Sequence, residues 1–361
     1  MCIRQRQPQS MKKEIYNLQI VRGIAALIVV AGHLLPPAIA EYIPGQVGVS
    51  MFFFLSGYIM LYSFKASEHP VTFLKKRFLR IHPAYLIISL PLILAALVKT
   101  TSVQYMLHTV LLLPWLEWSR EKNSFNIHSP IANPVAWTLM FEYYFYAIFT
   151  LGKSIRNNRN FVFYFSSIAI VTIMALSNFF LGNDGKLGWT TLSWHAITSN
   201  LCNISFIAGM SWQLMSENKH VEHKRPWALL LIPLSIILLD KVSPLTNISN
   251  NQIIDLLFSC IPCWIFVAAL STSARLTGRI FDRIHATGQY SYSLYLFHSV
   301  LATIIYQLHL APKYEWPVAL VSITLSLWIS KYLYKYIESV NVIELVKNGH
   351  SRYKKARGYT G

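Results

Sequence analysis

Charge is what this chain has least of. Only 13% of its 361 residues are Asp, Glu, Lys or Arg, roughly half the share of an ordinary soluble domain. Hydrophobic residues make up 54%, and mean hydropathy is +0.39; together these exclude a soluble globular fold. Acidic residues are scarcer still, 15 against 32 Lys and Arg, so the net charge is +17. Nucleic acid is one partner of such an excess. Here, however, the basic residues cluster between apolar runs, as in the cytoplasmic loops of membrane proteins, and no nucleic-acid partner is expected. Cysteine is also rare: Cys2, Cys202, Cys260 and Cys263. That excludes a disulfide framework and a zinc site, and no metal is expected. Cys260-Ile-Pro-Cys263 has a redox-like spacing, but it lies in a predicted span without thioredoxin-like context and reads as small core residues. No repeat, low-complexity tract or soluble domain interrupts the sequence. It reads as one membrane-embedded domain over 1–361, with a basic leader at 1–14 and a basic tail at 338–361.

What is present is apolar length. Ten segments approach or reach the length needed to span a bilayer, near 16–37, 47–64, 82–98, 134–152, 161–181, 193–215, 226–241, 253–271, 287–309 and 316–337. The stretch 103–117 is apolar but short, and is expected to be interfacial or re-entrant, with its Trp residues at headgroup level. A signal peptide is the other reading of a basic N-terminus before an apolar run, and Ala38-Ile39-Ala40 resembles a cleavage site. Arg22 and His33 interrupt that run and its length is that of a full span, so it is read as a retained first helix. Counted on alternate loops, 25 Lys and Arg fall on one side and six on the other, with Arg22 inside a span. This asymmetry predicts an all-α, polytopic helical bundle of about ten transmembrane helices with both termini cytoplasmic. The location is the cell (inner or plasma) membrane, and the tail is expected on its anionic inner surface, with membrane lipids as partners.

The stretch Asn17–Pro37, NLQIVRGIAALIVVAGHLLPP, organises the rest. Ionisable groups in hydrocarbon cost a few kcal/mol each, so Arg22 and His33 are expected to face a cavity, to pair, or to carry function. Eleven residues apart, they differ by about 20° around a helix and by roughly 16 Å along it. A second span, GQVGVSMFFFLSGYIM, offers Gly48 and Gly57 for close helix approach and Ser50 and Ser56 for hydrogen bonds. In the next inner loop Arg77 and Arg80 stand three residues apart. They are either two forks on one helical face, suited to phosphate, or ordinary cytoplasmic charge. The fourth span, opening at Asn133, carries Trp137 and, about 12 Å of helix from its outer end, Glu142. That carboxylate is either a structural counter-ion or a direct participant. The ninth span brings Ser291, Tyr295 and His298, with His298 readable as structural. His82, His108 and His128 fall at loop or interface positions and carry little weight.

These elements together resemble the acyltransferase-3 family of integral membrane acyltransferases. The resemblance rests on Arg22 and His33 in the first helix, on Gly48-Val49, Phe52-Phe53 and Ser56-Gly57-Tyr58 in the second, and on Arg77-x-x-Arg80-x-x-Pro83-x-Tyr85. It continues with Trp137-Thr-Leu and Glu142, then Ser291-Tyr-Ser-Leu-Tyr295 with His298. The wording around Pro134-Val-x-Trp137 looks most like the branch that O-acetylates exopolysaccharides and other surface glycans. The resemblance implies transfer of an acyl group, commonly acetyl from acetyl-coenzyme A, to a hydroxyl of a polysaccharide or lipid-linked oligosaccharide, with no tightly bound cofactor. It implies His33 as the catalytic histidine, Arg77 and Arg80 on the donor's phosphates, and Arg22 and Glu142 as essential residues of the cavity. Trp137, Ser291, Tyr295 and His298 are candidate cavity residues, and Glu142 is a candidate to fix the tautomer of His33. Many members carry a further esterase-like domain, which this sequence does not show. The rival readings are a glycan or lipid transporter or flippase, a scaffold of a glycan-synthesis complex, and a donor carrying succinyl or another acyl group.

Overall fold

A computed structural model of the chain describes residues 9–40, 42–43, 45–99, 103–114, 131–181, 193–217, 256, 260–308 and 311–339. Among them the architecture is helical. In chain order the elements are α1 (Gln9–Leu34), α2 (Pro37–Ala40), α3 (Gly45–Tyr62), α4 (Pro70–Lys99), α5 (Val103–Leu111), α6 (Trp137–Ile155), α7 (Arg159–Leu181), α8 (Trp194–Ser199) and α9 (Asn203–Ser216). They continue as α10 (Ile261–Thr272), α11 (Arg279–Gln289), α12 (Ser291–Gln307) and α13 (Glu315–Leu333), closed by a π-helical turn at Tyr334–Glu338. Five segments among the described residues are long and apolar enough to cross a membrane: Tyr16–Leu34, Gly45–Tyr62, Pro70–Val98, Arg159–Phe180 and Pro312–Glu338.

Several expected elements appear in altered form. The inner loop that was to carry Arg77 and Arg80 is helical. It forms the first half of α4, which runs unbroken through Pro83 and Pro91. The segment 193–215 is divided into α8 and α9 at Asn200–Cys202, where Asn200 caps the turn by accepting from the Cys202 amide. The segment 287–309 begins only at Ser291, because Tyr290 leaves helical geometry and Gly288 belongs to α11. The short apolar stretch forms α5, with Val103, Leu107 and Leu111 exposed and Tyr105, His108 and Thr109 buried. The expected span at 226–241, the start of that at 253–271, His128, Trp115 and Trp118 lie outside the described residues, as do 1–8 of the leader and 340–361 of the tail.

Glycine sets the close contacts of the bundle. A Cβ on Gly57 of α3 would overlap the Phe206 carbonyl of α9, and one on Gly209 of α9 would overlap the Phe54 carbonyl of α3. Gly23 of α1 and Gly288 of α11 stand in the same reciprocal relation, against Ile284 and Gln19. Without side chains there, backbones approach closely enough for dispersion contacts that lipid alone does not drive. Buried Asn17 secures the same α1 edge. Its amide donates to the Leu270, Ser273 and Ala274 carbonyls at 3.0, 3.2 and 3.1 Å, and its oxygen accepts from the Leu276 amide at 3.3 Å. Burial then distinguishes the helices: 67% of the α3 span is enclosed but only 17% of α7. Exposed Tyr164, Ile168, Phe179 and Phe180 on α7 have the character of a lipid-facing surface.

Candidate functional site

The centre of the bundle holds a cavity that encloses about 900 Å³, its open mouth included. Arg22 enters it from α1, Arg77 and Arg80 from α4, Glu142 from α6, and Ser291 and Tyr295 from α12. Six of the nine candidate site residues therefore meet in one space, from positions up to 273 residues apart. Ser56, Thr138, Tyr146 and Tyr292 complete its polar lining, and Phe52, Phe53 and Met60 are among its apolar walls.

Local structure aims each of these groups. Arg77 donates to the Ser63 hydroxyl at 2.9 Å, and its guanidinium lies 5.2 Å from the centre of the Phe73 ring. The turn bearing Ser63 is fixed from beneath: buried Lys153 donates to the Lys65 carbonyl at 2.6 Å, and Asn157 donates to Ala66 O at 2.6 Å. Glu142 accepts from Tyr146 at 2.6 Å and from Ser56 at 3.2 Å. A 3₁₀ turn at Pro134–Ala136 leads into α6, and it is capped by Asn133, which is fully buried and satisfied. Its amide donates to Ser89 at 2.8 Å and its oxygen accepts from Ser299 at 2.6 Å, tying α6 to α4 and α12.

The cavity is electropositive. It contains three guanidinium groups and one carboxylate. Among the described residues the ion pairs are Lys76–Glu68 and Arg159–Glu217, and neither involves a cavity group. Arg22 feels the repulsion of Arg80 and the attraction of Glu338 and Glu142. Glu338 is a member of this group that sequence reasoning passed over. From the π-turn it reaches the N-terminus of α12, accepting from the Ser293 amide at 3.3 Å and hydroxyl at 2.8 Å. A carboxylate is favoured there by the helix dipole. Among the described residues the Ser291 hydroxyl has no hydrogen-bond partner, so it is free to bind whatever enters.

His33 and His298 do not line the cavity; they form a pair beside it. His33, exposed at the end of α1, lies with Nδ1 2.9 Å from the Val29 carbonyl and 3.2 Å from Nε2 of His298. The rings are 5.2 Å apart and tilted by 36°. His298 is fully buried, with Nδ1 3.0 Å from the Leu294 carbonyl. Tyr295 is shared between the two places. It lines the cavity, its ring lies 5.9 Å from that of His298, and its hydroxyl is 3.0 Å from Thr138 Oγ1. Glu142 is bonded to Ser56 and Tyr146 rather than to His33, the expected neighbour; the side chain beside His33 Nδ1 is His298. Trp137 packs edge-on against Phe141 at 5.5 Å and does not line the cavity.

Compared with known proteins, residues 15–335 match a family model described as an acyltransferase domain, acyltransferase type 3. No curated protein and no solved structure matches the chain.

Proposed function

The chain belongs to the acyltransferase-3 family and is a membrane acyltransferase, and from that premise we propose that it moves an acetyl group from cytoplasmic acetyl-coenzyme A to a hydroxyl of a surface polysaccharide or lipid-linked glycan. The setting of this reaction is a ten-span fold in the inner membrane with both termini cytoplasmic, oriented by the distribution of Lys and Arg. The observation that carries the reading is the convergence of Arg22, Arg77 and Arg80 on one cavity whose shared wall, Tyr295, abuts the His33–His298 pair.

On this reading the donor's phosphates enter at the α4 arginines, where forked guanidinium groups form charge-assisted hydrogen bonds. The acyl-bearing arm extends along α1 past Arg22 toward His33. Neutral His33 takes the proton of the acceptor hydroxyl as its oxygen attacks the thioester carbonyl carbon. The C–O bond forms, the C–S bond breaks, and the thiolate recovers the proton as the free thiol. Glu142 offsets part of the arginine charge and holds Ser56 and Tyr146 in place.

The test is transfer of radiolabelled acetyl from coenzyme A to a glycan acceptor by the protein reconstituted in lipid. His33→Ala is expected to abolish transfer while leaving the purified protein folded by circular dichroism. Transfer at the wild-type rate by His33→Ala would remove the histidine from the mechanism.

A further inference from the structure

We propose that His298 is a positioning residue: it locks His33 in the tautomer with hydrogen on Nδ1, so that Nε2 presents the basic lone pair to the acceptor. This rests on the reading of His33 as general base. Two backbone carbonyls fix where the ring protons sit. Each imidazole bends back on the carbonyl four residues earlier in its own helix, His33 on Val29 at 2.9 Å and His298 on Leu294 at 3.0 Å. A carbonyl only accepts, so each Nδ1 must carry hydrogen. His298 is 0% exposed and no carboxylate makes an ion pair with it among the described residues. An isolated cation enclosed in this way is costly, so the ring is held neutral. Its Nε2 is then an acceptor, and it lies 3.2 Å from His33 Nδ1. His33 Nδ1–H thus faces two acceptors and no donor. The opposite tautomer would place a lone pair against a carbonyl oxygen and a second lone pair. Among the described residues Nε2 of His33 has no hydrogen-bond partner, and the residue is exposed, so its lone pair is accessible.

The arrangement serves the reaction as well as the resting state. When Nε2 of His33 takes the acceptor's proton, positive charge spreads to Nδ1–H, where the Val29 carbonyl and His298 Nε2 receive it. His298 neither gains nor loses a proton. It occupies the place that a carboxylate takes behind the histidine of a hydrolase triad, but as a neutral acceptor that adds no charge to the bundle interior.

The experiment is nitrogen-15 NMR of the full-length protein in lipid nanodiscs with histidine ring nitrogens labelled, His33→Gln serving to assign the His33 signals. Wild type is expected to show His33 protonated at Nδ1 and bare at Nε2. His298→Phe keeps a ring but removes the acceptor. It is expected to shift the His33 tautomer population toward Nε2–H and to lower kcat about 10- to 100-fold, as loss of an orienting partner does, with donor KM unchanged. His298→Gln restores an acceptor near the former Nε2 and is expected to return the tautomer and most of kcat. A wild-type His33 bare at Nδ1 would overturn the inference, as would His298→Phe with tautomer and kcat both unaltered. The tautomer is read without turnover, so these failures are distinct from active His33→Ala, which overturns the base assignment itself.

Discussion

Arg80 stands at the exposed rim of the cavity without an ion-pair partner among the described residues, whereas Arg77 is bonded to Ser63 and stacked on Phe73. Removing Arg77 therefore disturbs structure as well as charge, and Arg80 is the cleaner probe of phosphate binding. One charged hydrogen bond is worth roughly 1.5–3 kcal/mol, so Arg80→Ala is expected to raise donor KM roughly 10- to 100-fold while changing kcat little, as read by steady-state kinetics. Coenzyme A is expected to raise the unfolding temperature of the wild type, and to raise that of Arg80→Ala less. At this scale much was legible in the sequence: an arginine, a histidine and a glutamate inside apolar runs announce themselves by their cost. Glu338 escaped notice because an acid at the end of an apolar run looks like a headgroup-level residue. Only the turn back onto Ser293 makes it part of the arginine cluster. The His33–His298 contact was equally hidden, because nothing in spacing relates residues 265 positions apart.

Among the elements, α3 and α9 test how far backbone proximity governs the bundle. Gly209 leaves no room for a side chain against Phe54 O, so Gly209→Val must separate the helices. Overpacking of this kind costs about 1–3 kcal/mol, and the expected result is a lower unfolding temperature in detergent, with Gly45→Ala as control because nothing lies within 4 Å of its added Cβ. α11 offers a second test. His285 stacks on Tyr16 at 4.1 Å, and Tyr16 in turn donates to Asp282 at 2.5 Å and lies beneath Arg275. Burial first, and then Arg275, push the His285 imidazole below its ordinary range, while Asp282 opposes them. Its folded pKa is therefore the lower one, so protonation favours the unfolded chain. Stability is full above about pH 6.5, the unfolded value, and falls as pH drops through the folded one. Thermal unfolding between pH 7.5 and 5 should fall less steeply in His285→Gln than in wild type. Helix existence was readable from apolar length, but the breaks at Asn200–Cys202 and Tyr290 were not. Both sit inside segments of spanning length; the first is set locally by the Asn203 side chain, whose Nδ2 donates to Ile197 O at 2.8 Å, and the second by a tertiary contact, Gly288 seated on Gln19.

For the molecule as a whole, the apolar composition and basic loops pointed to a polytopic helical membrane protein, and the helices and family membership agree. The convergence of five helices on one electropositive cavity was not accessible from any single segment, since it depends on how α4, α6 and α12 lean on one another. The shared position of Tyr295 has a consequence for the membrane itself. A route that admits a donor from one side and an acceptor from the other is also a potential short circuit, and each elementary charge that crosses dissipates about 2.3 kcal/mol per 100 mV. Tyr295 is braced edge-on against Phe52 at 5.9 Å and pinned by its hydroxyl to Thr138 and Val135; on the proposed reading it is the partition that insulates the arginine chamber from the histidines. On that reading the bilayer keeps its voltage while two carbons are handed across.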